Sequence, residues 1–307
     1  MAAFRLLLVA VVLLCATVPH ADASAWIVVD DNTGHVLAAS GQNEKRQIAS
    51  LTKIATAMVV IDWAEATKAS LADLVGVPPE ITGVGGVNPC QLQPGDRISL
   101  RDLLYSAMMS SDNHAAYTLA WNVGSRLPNP QGLSAVDNFT AHMNALARTL
   151  GMKRTLFLNP HGLDSLTPPP HSTAADLARL TRYAYKHAGF NFYVSQPTRE
   201  IAIQGADGIP RGFLLRNTNE LLGRDGIDGV KTGRTNRAGD CIVLAADRPP
   251  DAVERDGQKI AIPRRIIVVL LGSADRFSEG FALIQRGWGL HEQWSAQGRP
   301  VSKRSSI

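Results

Sequence analysis

Ser50 and Lys53 are separated by three positions in the stretch A-S-L-T-K. On a helix this spacing places the hydroxyl and the amine on the same face, one turn apart. A serine becomes a nucleophile when a neighbouring base removes its proton, and a lysine is such a base when burial and nearby positive charge favour its neutral form. The pair therefore predicts acyl transfer through Ser50, although a capping serine beside a solvated lysine has the same spacing.

A second motif, S-D-N at residues 111–113, follows the apolar run that ends at Met109. The hydroxyl of Ser111 can relay a proton to a leaving group, and the amide of Asn113 can bind both a lysine and a substrate carbonyl. Taken alone, the same residues fit a helix cap equally well.

A third motif, K-T-G at residues 231–233, lies in a segment that we predict to be a strand. Gly233 permits a substrate backbone to approach the strand edge closely, and the ammonium of Lys231 would favour the neutral form of Lys53. The backbone N–H groups of Ser50 and Arg234 are expected to form an oxyanion hole.

The three motifs differ in how often they arise by accident. A chain of this length and composition contains S-x-x-K about 0.5 times and S-x-N about 0.8 times by chance, whereas K-T-G is expected only about 0.04 times. The three together and in this order therefore indicate one catalytic site with Ser50 as its nucleophile.

The elements that must position these motifs predict an α+β fold with three layers. The predicted strands are residues 26–30, 35–39, 229–232, 241–246 and 265–271, the last two joined by a polar loop. The predicted helices are residues 50–66, 135–150, 173–187 and 276–289, with another that Ser99 caps. We expect a single antiparallel sheet built from both termini and flanked by helices, with a helical lobe inserted over about residues 67–190. The cleft between sheet and lobe is the expected site.

Residues 1–25 have the order typical of a signal peptide. Arg5 precedes an apolar run, and small residues at Ala23 and Ala25 offer two cleavage points. The sequence therefore predicts export to the periplasm, the cell envelope or the medium.

The overall composition limits the classes of protein. With 45% hydrophobic and 19% charged residues the chain is globular, and its net charge of +4 is not concentrated in a basic patch that would predict nucleic-acid binding. Cys90 and Cys241 would remain after export, and their pairing is left open.

The chain resembles the low-molecular-mass D-alanyl-D-alanine carboxypeptidases, which are penicillin-binding serine peptidases, over nearly all of its length after residue 25. The matching segments are IASLTK at 48–53, NPHGL at 159–163, HST at 171–173 and DGVKTGRTNRAG at 228–239. The resemblance implies a β-lactamase/transpeptidase-like fold and removal of the terminal D-Ala from peptidoglycan stem peptides, with no metal or cofactor. It also implies that β-lactams acylate the same serine.

The resemblance also assigns roles. Ser50 attacks the penultimate D-Ala carbonyl and Lys53 is its base, whereas Ser111 and Lys231 manage proton and charge. Thr232 helps to hold the terminal carboxylate.

Three basic residues outside the three motifs also need an interpretation. Arg276, just after the last predicted strand, is our candidate for a second carboxylate ligand, and a solvated arginine at a helix start is an equal alternative. His161 and His171 are interpreted as structural, with His161 shaping the loop around residues 159 and 160.

Three alternative functions remain open. A class A β-lactamase deacylates through a glutamate between the second and third motifs, but only Glu200 and Glu220 lie there, and neither is in an E-x-x-L-N context. A D,D-endopeptidase of peptidoglycan crosslinks would carry the same catalytic residues. A non-catalytic wall-binding or β-lactam-sensing protein would keep the fold, but the intact Ser50, Lys53 and Lys231 argue against it.

We predict a D,D-peptidase domain over residues 26–290 and a frayed polar tail over residues 291–307. Many relatives carry a second, β-rich domain and an amphipathic C-terminal anchor. Because residues 297–307 lack an apolar helical face, we expect a single-domain form without a permanent membrane anchor.

Overall fold

The computed structural model describes residues 24–255, 258–302 and 305–307. The predicted signal peptide lies outside the described residues except for its last two positions. In chain order the described elements are β1 (Ala25–Asp30), β2 (Val36–Ser40), a 3₁₀ turn (Ala49–Thr52), α1 (Lys53–Thr67), β3 (Leu74–Gly76), a 3₁₀ turn (Pro79–Gly83), β4 (Arg97–Ser99), α2 (Leu100–Met109), α3 (Asn113–Gly124), α4 (Ala135–Thr149), α5 (Ala174–Ala184), α6 (Phe190–Val194), β5 (Thr198–Gln204), β6 (Pro210–Arg216), a 3₁₀ turn (Arg224–Gly226), β7 (Ile227–Thr235), β8 (Gly239–Arg255), β9 (Gln258–Ser273) and α7 (Arg276–Ala296).

The large antiparallel sheet has the strand order β2-β1-β9-β8-β7, so it combines strands from both ends of the described chain. β1 pairs with β9 from Ala25 opposite Leu271 to Asp30 opposite Ile266. β7 lies at an edge, and β8 is its one partner among the described strands. The second side of β7 is therefore open, and this strand carries the K-T-G motif.

The large sheet separates two apolar clusters, because successive residues of a strand point to opposite faces. Ile27 and Val29 belong to the larger cluster, which includes residues of α1 and α5. Val28 belongs to the smaller cluster, where it lies with Ile284 and Trp288 of α7. Helices therefore cover both faces of the sheet, which confirms the predicted three-layer α+β architecture.

A second antiparallel sheet, with the order β3-β4-β5-β6, corrects the expectation of a single sheet. β3 and β4 are only three residues long, so no alternating pattern was available to predict them. The segment 67–190, predicted as a helical lobe, contains these two strands as well as helices. Its last long helix, α5, packs against β1 and β9 of the large sheet.

The prediction of a polar loop between the last two strands is also wrong. β8 and β9 continue outward as a long hairpin, in which Asp251 pairs with Ile262 and Arg255 with Gln258. The hydrogen bonds of the ladder join backbone groups and need no apolar side chains. A polar composition therefore concealed these strand extensions.

The prediction of a frayed tail over residues 291–307 is wrong for the beginning and the end of that segment. α7 continues to Ala296, and buried His291 places its Nε2 atom 3.3 Å from Oδ1 of Asp30. The backbone N–H of Val36 donates to the carbonyl of Ser305 at 2.8 Å. These contacts attach both parts of the segment to the β1–β2 hairpin.

Cys90 and Cys241 are both buried and free, so the pairing left open is decided against a disulfide. The Sγ atom of Cys90 lies 3.0 Å from Oγ of Ser106 in α2. Cys241 packs in the core of the large sheet.

Candidate active site

Ser50 lies in the 3₁₀ turn Ala49–Thr52, directly before α1. The turn follows a backbone reversal at Ala49, whose φ of 47° is in the left-handed region. The predicted helix from Ser50 therefore starts as a tight turn, and its α-helical part begins at Lys53. Ser50 is partly exposed and lines a cavity of about 270 Å³.

Lys53 is completely buried beneath Ser50. Its Nζ atom donates hydrogen bonds to Oγ of Ser50 at 2.9 Å, to Oδ1 of Asn113 at 2.7 Å and to the carbonyl of His161 at 2.8 Å. Burial lowers the pKa of Lys53 to about 7, although the carboxylate of Asp112 acts in the opposite direction. An amine next to the serine hydroxyl is thus available in its neutral form near pH 7.

Lys231 is the second buried lysine of the site, and its Nζ atom donates to the carbonyl of Thr232 at 3.0 Å. Burial, together with the positive charges of Lys53 and Arg276, holds the pKa of Lys231 well below its usual range. Two like charges in one buried site disfavour each other. The site therefore disfavours having both lysines as ammonium ions at once.

The S-D-N segment forms the start of α3. Ser111 has a φ of 61° and lines the cavity, and Asn113 donates through Nδ2 to the carbonyl of Gly85 at 2.9 Å while its Oδ1 accepts from Lys53. Asp112 is buried and caps α3, with Oδ1 accepting from the backbone N–H of His114 at 2.9 Å. Asp112 had no predicted role, although it lies inside the S-D-N motif.

β7 runs past the 3₁₀ turn that carries Ser50. A Cβ atom on Gly233 would lie 3.1 Å from both the carbonyl oxygen of Ile48 and the backbone nitrogen of Ser50. Only a residue without a side chain permits this approach comfortably. Beside it, the hydroxyl of Thr232 lies 2.7 Å from that of Thr218, which no pattern in the sequence had indicated.

The N-P-H-G-L segment at 159–163 contributes Gly162 and Leu163 to the lining of the cavity. Oδ1 of Asn159 accepts from the backbone N–H groups of His161 at 3.2 Å and Gly162 at 2.6 Å, and its Nδ2 donates to the carbonyl of Leu163 at 2.7 Å. Asn159 therefore folds the loop, with a weaker contribution from Nδ1 of His161, which accepts from Leu163 at 3.3 Å. The carbonyl of His161 binds Lys53, and burial lowers the pKa of the His161 ring to about 3.

Two arginines border the cavity beyond Gly233. Arg276 donates through Nη1 to the carbonyl of Gly233 at 3.1 Å and lies 3.4 Å from Oδ1 of Asp240. Arg234 reaches the same oxygen of Asp240 through Nε at 3.5 Å, and its side chain is 75% exposed. Both guanidinium groups face a site that contains no acidic lining residue among the described part of the chain.

The structure brings all nine predicted site residues together. Lys53 and Lys231 lie buried beneath the site. The other seven line the cavity, namely Ser50, Ser111, Asn113, Thr232, Gly233, Arg234 and Arg276. Their individual roles stay predictions. A nucleophilic serine on a buried lysine, beside an open strand edge, is the arrangement of a serine acyl-transfer enzyme.

Comparison with known proteins agrees with this class. The family model described as Peptidase_S11, D-alanyl-D-alanine carboxypeptidase, matches residues 14–253. The chain therefore belongs to the D-alanyl-D-alanine carboxypeptidase family. It is 33% identical over 279 residues to the D-alanyl-D-alanine carboxypeptidase DacD of Salmonella typhimurium, a match that covers 88% of this chain and 63% of that one. It is 36% identical over 220 residues to a D-alanyl-D-alanine endopeptidase of Pseudomonas aeruginosa, covering 71% and 65% of the two chains.

Solved structures show the same fold. The crystal structure of the Streptomyces K15 DD-transpeptidase superposes with a TM-score of 0.73 at 27% identity, covering 86% of this chain and 96% of that one. The ampicillin-bound form of penicillin-binding protein D2 from Listeria monocytogenes has a TM-score of 0.66 at 27% identity, covering 86% and 96%. The predicted β-lactamase/transpeptidase-like fold is thereby confirmed.

Proposed function

We propose that this protein is a serine D,D-carboxypeptidase that removes the terminal D-Ala from peptidoglycan pentapeptides through an acyl-enzyme on Ser50. The observation that carries the proposal is the 2.9 Å hydrogen bond between Oγ of Ser50 and Nζ of Lys53, an amine buried enough to be neutral near pH 7. The names of the carboxypeptidase relatives support the same activity.

The first half-reaction forms the acyl-enzyme. Neutral Lys53 takes the proton of Ser50, whose Oγ attacks the penultimate D-Ala carbonyl, and the backbone N–H groups of Ser50 and Arg234 stabilise the resulting oxyanion. When the C–N bond breaks, the proton that Lys53 took from Ser50 passes through Ser111 and Lys231 to the departing amine, so that Lys53 is neutral again. Water then gives a proton to Lys53 as its oxygen attacks the ester. That proton returns to Oγ of Ser50 when the Oγ–C bond breaks and the shortened peptide is released.

The substrate itself completes the electrostatics of the site. Its terminal carboxylate is proposed to bind the Thr232 hydroxyl and the guanidinium of Arg276. A negative charge there favours the ammonium form of Lys231, and that positive charge in turn favours the neutral form of Lys53. Binding of the carboxylate therefore favours the ammonium form of Lys231 and the neutral form of Lys53, which is the form that can act as a base.

We propose β-lactams as a second class of ligand. The Listeria neighbour has been solved in an ampicillin-bound form, which supports β-lactam binding by this chain. We expect the ester between the opened β-lactam and Ser50 to be hydrolysed slowly, because neither Glu200 nor Glu220 lines the cavity as a base for rapid hydrolysis.

The proposed substrate places the enzyme in the cell envelope, and the predicted export agrees with this location. The domain boundaries at 26 and 290 stay predictions. In the described ranges of the chain, no helix combines the length and the apolar character needed to cross a bilayer.

Mass spectrometry of a pentapeptide muropeptide incubated with the purified protein tests the function. We expect the loss of one D-Ala, abolished in Ser50→Ala and retained in Ser70→Ala, whose serine is exposed and does not line the cavity. Cleavage of crosslinked dimers alone would support the endopeptidase activity that the Pseudomonas relative's name indicates. Steady hydrolysis of nitrocefin would favour a β-lactamase, and no reaction with either peptide or penicillin would contradict all three activities.

The pH dependence of acylation provides an independent prediction. Because Lys53 must be neutral to accept the proton and its pKa is lowered to about 7, the rate of acylation by benzylpenicillin should rise about tenfold per pH unit below pH 7 and level off above it. Intact-protein mass spectra, recorded over time between about pH 5 and about pH 9, measure this rate. A flat profile, or one still rising at its upper end, would contradict the role of Lys53.

The same lowered pKa affects stability. The unfolded chain binds a proton at Lys53 up to a pKa near 10.5, whereas the folded chain releases it near 7. The contribution of Lys53 to the free energy of unfolding therefore increases as the pH rises from 7 towards 10.5.

A further inference from the structure

Arg234 is the exposed cation of the cavity and has few contacts with the protein. In the described chain its one ionic partner is Asp240, reached through Nε at 3.5 Å, so both terminal nitrogens of the guanidinium are left for another group. Arg276 differs, because it is only 18% exposed and its Nη1 donates to the carbonyl of Gly233. The two arginines therefore differ: Arg276 is bound to the protein backbone, whereas the end of the Arg234 side chain is available to a ligand.

The charges around the cavity favour an anionic ligand. Arg234 and Arg276 are the charged side chains that line it among the described residues. They share one carboxylate, that of Asp240, while the nearby carboxylate of Asp164 accepts from the hydroxyl of Thr235 at 2.5 Å. After the terminal carboxylate of the substrate has been bound at Thr232 and Arg276, Asp240 is the carboxylate left to Arg234, and it is reached through Nε alone.

The proposed oxyanion hole indicates which part of the substrate lies near Arg234. Because the backbone N–H of Arg234 is proposed to bind the penultimate carbonyl, an extended peptide along the open edge of β7 places its penultimate residue opposite Arg234. The third residue from the C-terminus is then the next residue along this edge, roughly 3.4 Å further on. The exposed side chain of Arg234 is long enough to reach the side chain of that residue.

We propose that Arg234 selects stem peptides whose third residue carries a free side-chain carboxylate, over peptides in which that group is amidated or replaced by an amine. The inference rests on the proposed carboxypeptidase function and adds its substrate class. A guanidinium binds a carboxylate through two parallel hydrogen bonds, for which the terminal nitrogens of Arg234 are available.

Matched synthetic peptides test this selection. One pair is Nα-acetyl-L-glutamyl-D-Ala-D-Ala and its L-glutaminyl counterpart, which differ in charge but hardly in shape. A second pair, with 2-aminopimelyl and its side-chain amide, extends the reach by two methylenes. We expect wild-type kcat/KM to be about fivefold higher for the acid than for the amide in at least one pair, as for a partly solvated ion pair. The preference should weaken from about 0.02 M to about 0.5 M NaCl.

Three variants identify the group responsible, with the acid-to-amide ratio of kcat/KM as the readout. Arg234→Gln should bring the ratio to about one, and Arg234→Lys should give an intermediate ratio, because lysine keeps the charge but not the two parallel hydrogen bonds. Arg237→Gln is the matched control: it removes a neighbouring charge, but Arg237 donates to the carbonyl of Asp164 and does not line the cavity. Its ratio should stay at the wild-type value.

The outcomes separate this inference from the function on which it rests. A wild-type ratio of one in both pairs, an unchanged ratio in Arg234→Gln, a lost ratio in Arg234→Lys or an equal loss in Arg237→Gln would overturn the selection by Arg234 while D-Ala release continued. If the wild-type enzyme released D-Ala from none of the peptides, nor from the natural pentapeptide, the proposed function itself would fail.

Discussion

Replacement of Lys53 by methionine should slow the acylation of Ser50 by benzylpenicillin by about 10²-fold to 10⁴-fold, the contribution typical of a positioned general base. Methionine has a similar length and fills the buried space without a charge. The substitution removes the one amine within hydrogen-bond distance of Oγ of Ser50 among the described residues. Intact-protein mass spectrometry, following the penicillin adduct over time, measures the loss.

Two controls make this result specific. Lys153→Met changes an exposed lysine in the same way and should acylate at the wild-type rate. Lys53→Met also leaves Oδ1 of Asn113 and the carbonyl of His161 without their donor, which costs about 1–3 kcal/mol for each acceptor. Circular dichroism and the thermal unfolding midpoint establish that the variant is folded. A folded variant that keeps more than about a tenth of the wild-type rate would exclude Lys53 as the base.

Replacement of Gly162 by alanine should destabilise the protein by about 4 kcal/mol or more. Its Cβ would lie 2.0 Å from the carbonyl oxygen of Ala49 and 2.9 Å from Oγ1 of Thr52, and its φ of +91° disfavours any side chain. The clash falls on the backbone that positions Ser50. We therefore also expect acylation of the folded fraction to slow by about 10²-fold, since small displacements of a nucleophile are costly. Urea unfolding and the penicillin adduct rate measure the two effects.

Gly208→Ala is the matched control for backbone strain. Gly208 has a φ of +82°, similar to that of Gly162, but a Cβ there would meet nothing within 4 Å. Its substitution should cost only about 1–2 kcal/mol and leave acylation unchanged. Equal losses of stability in the two variants would show that the positive φ, and not the contact with the Ser50 turn, determines the cost.

The site was more predictable from the sequence than the fold around it. Ser50, Lys53 and the K-T-G residues carry their chemistry in their types and spacing, so the motif alone indicates a nucleophile, a base and a strand. Thr218 is different, because it reaches Thr232 only through the chain reversal between β6 and β7. A lone threonine after an asparagine has no pattern that would signal such a contact.

The errors in the predicted fold also have physical causes. β3 and β4 are stabilised by their partners in the small sheet and are too short to show a period of two. The outer parts of β8 and β9 pair through backbone groups, whatever the polarity of their side chains. The end of α7 is held by His291 against Asp30, a contact between distant parts of the chain. In each case the tertiary partner, which local pattern does not contain, decides the structure.

The sequence by itself determined which residues can do chemistry here and what chemistry it is, because the reactivity of a serine, two lysines and an amide depends first on residue type. Only the tertiary structure decided how reactive they are. It buries Lys53 between α1, α3 and the loop at 159–163, and the lost solvation brings its pKa to about 7. It also leaves Arg234 exposed at the edge of β7 while committing Arg276 to a backbone carbonyl. Burial and partnership, which depend on the whole fold, are what distinguish two residues of the same type.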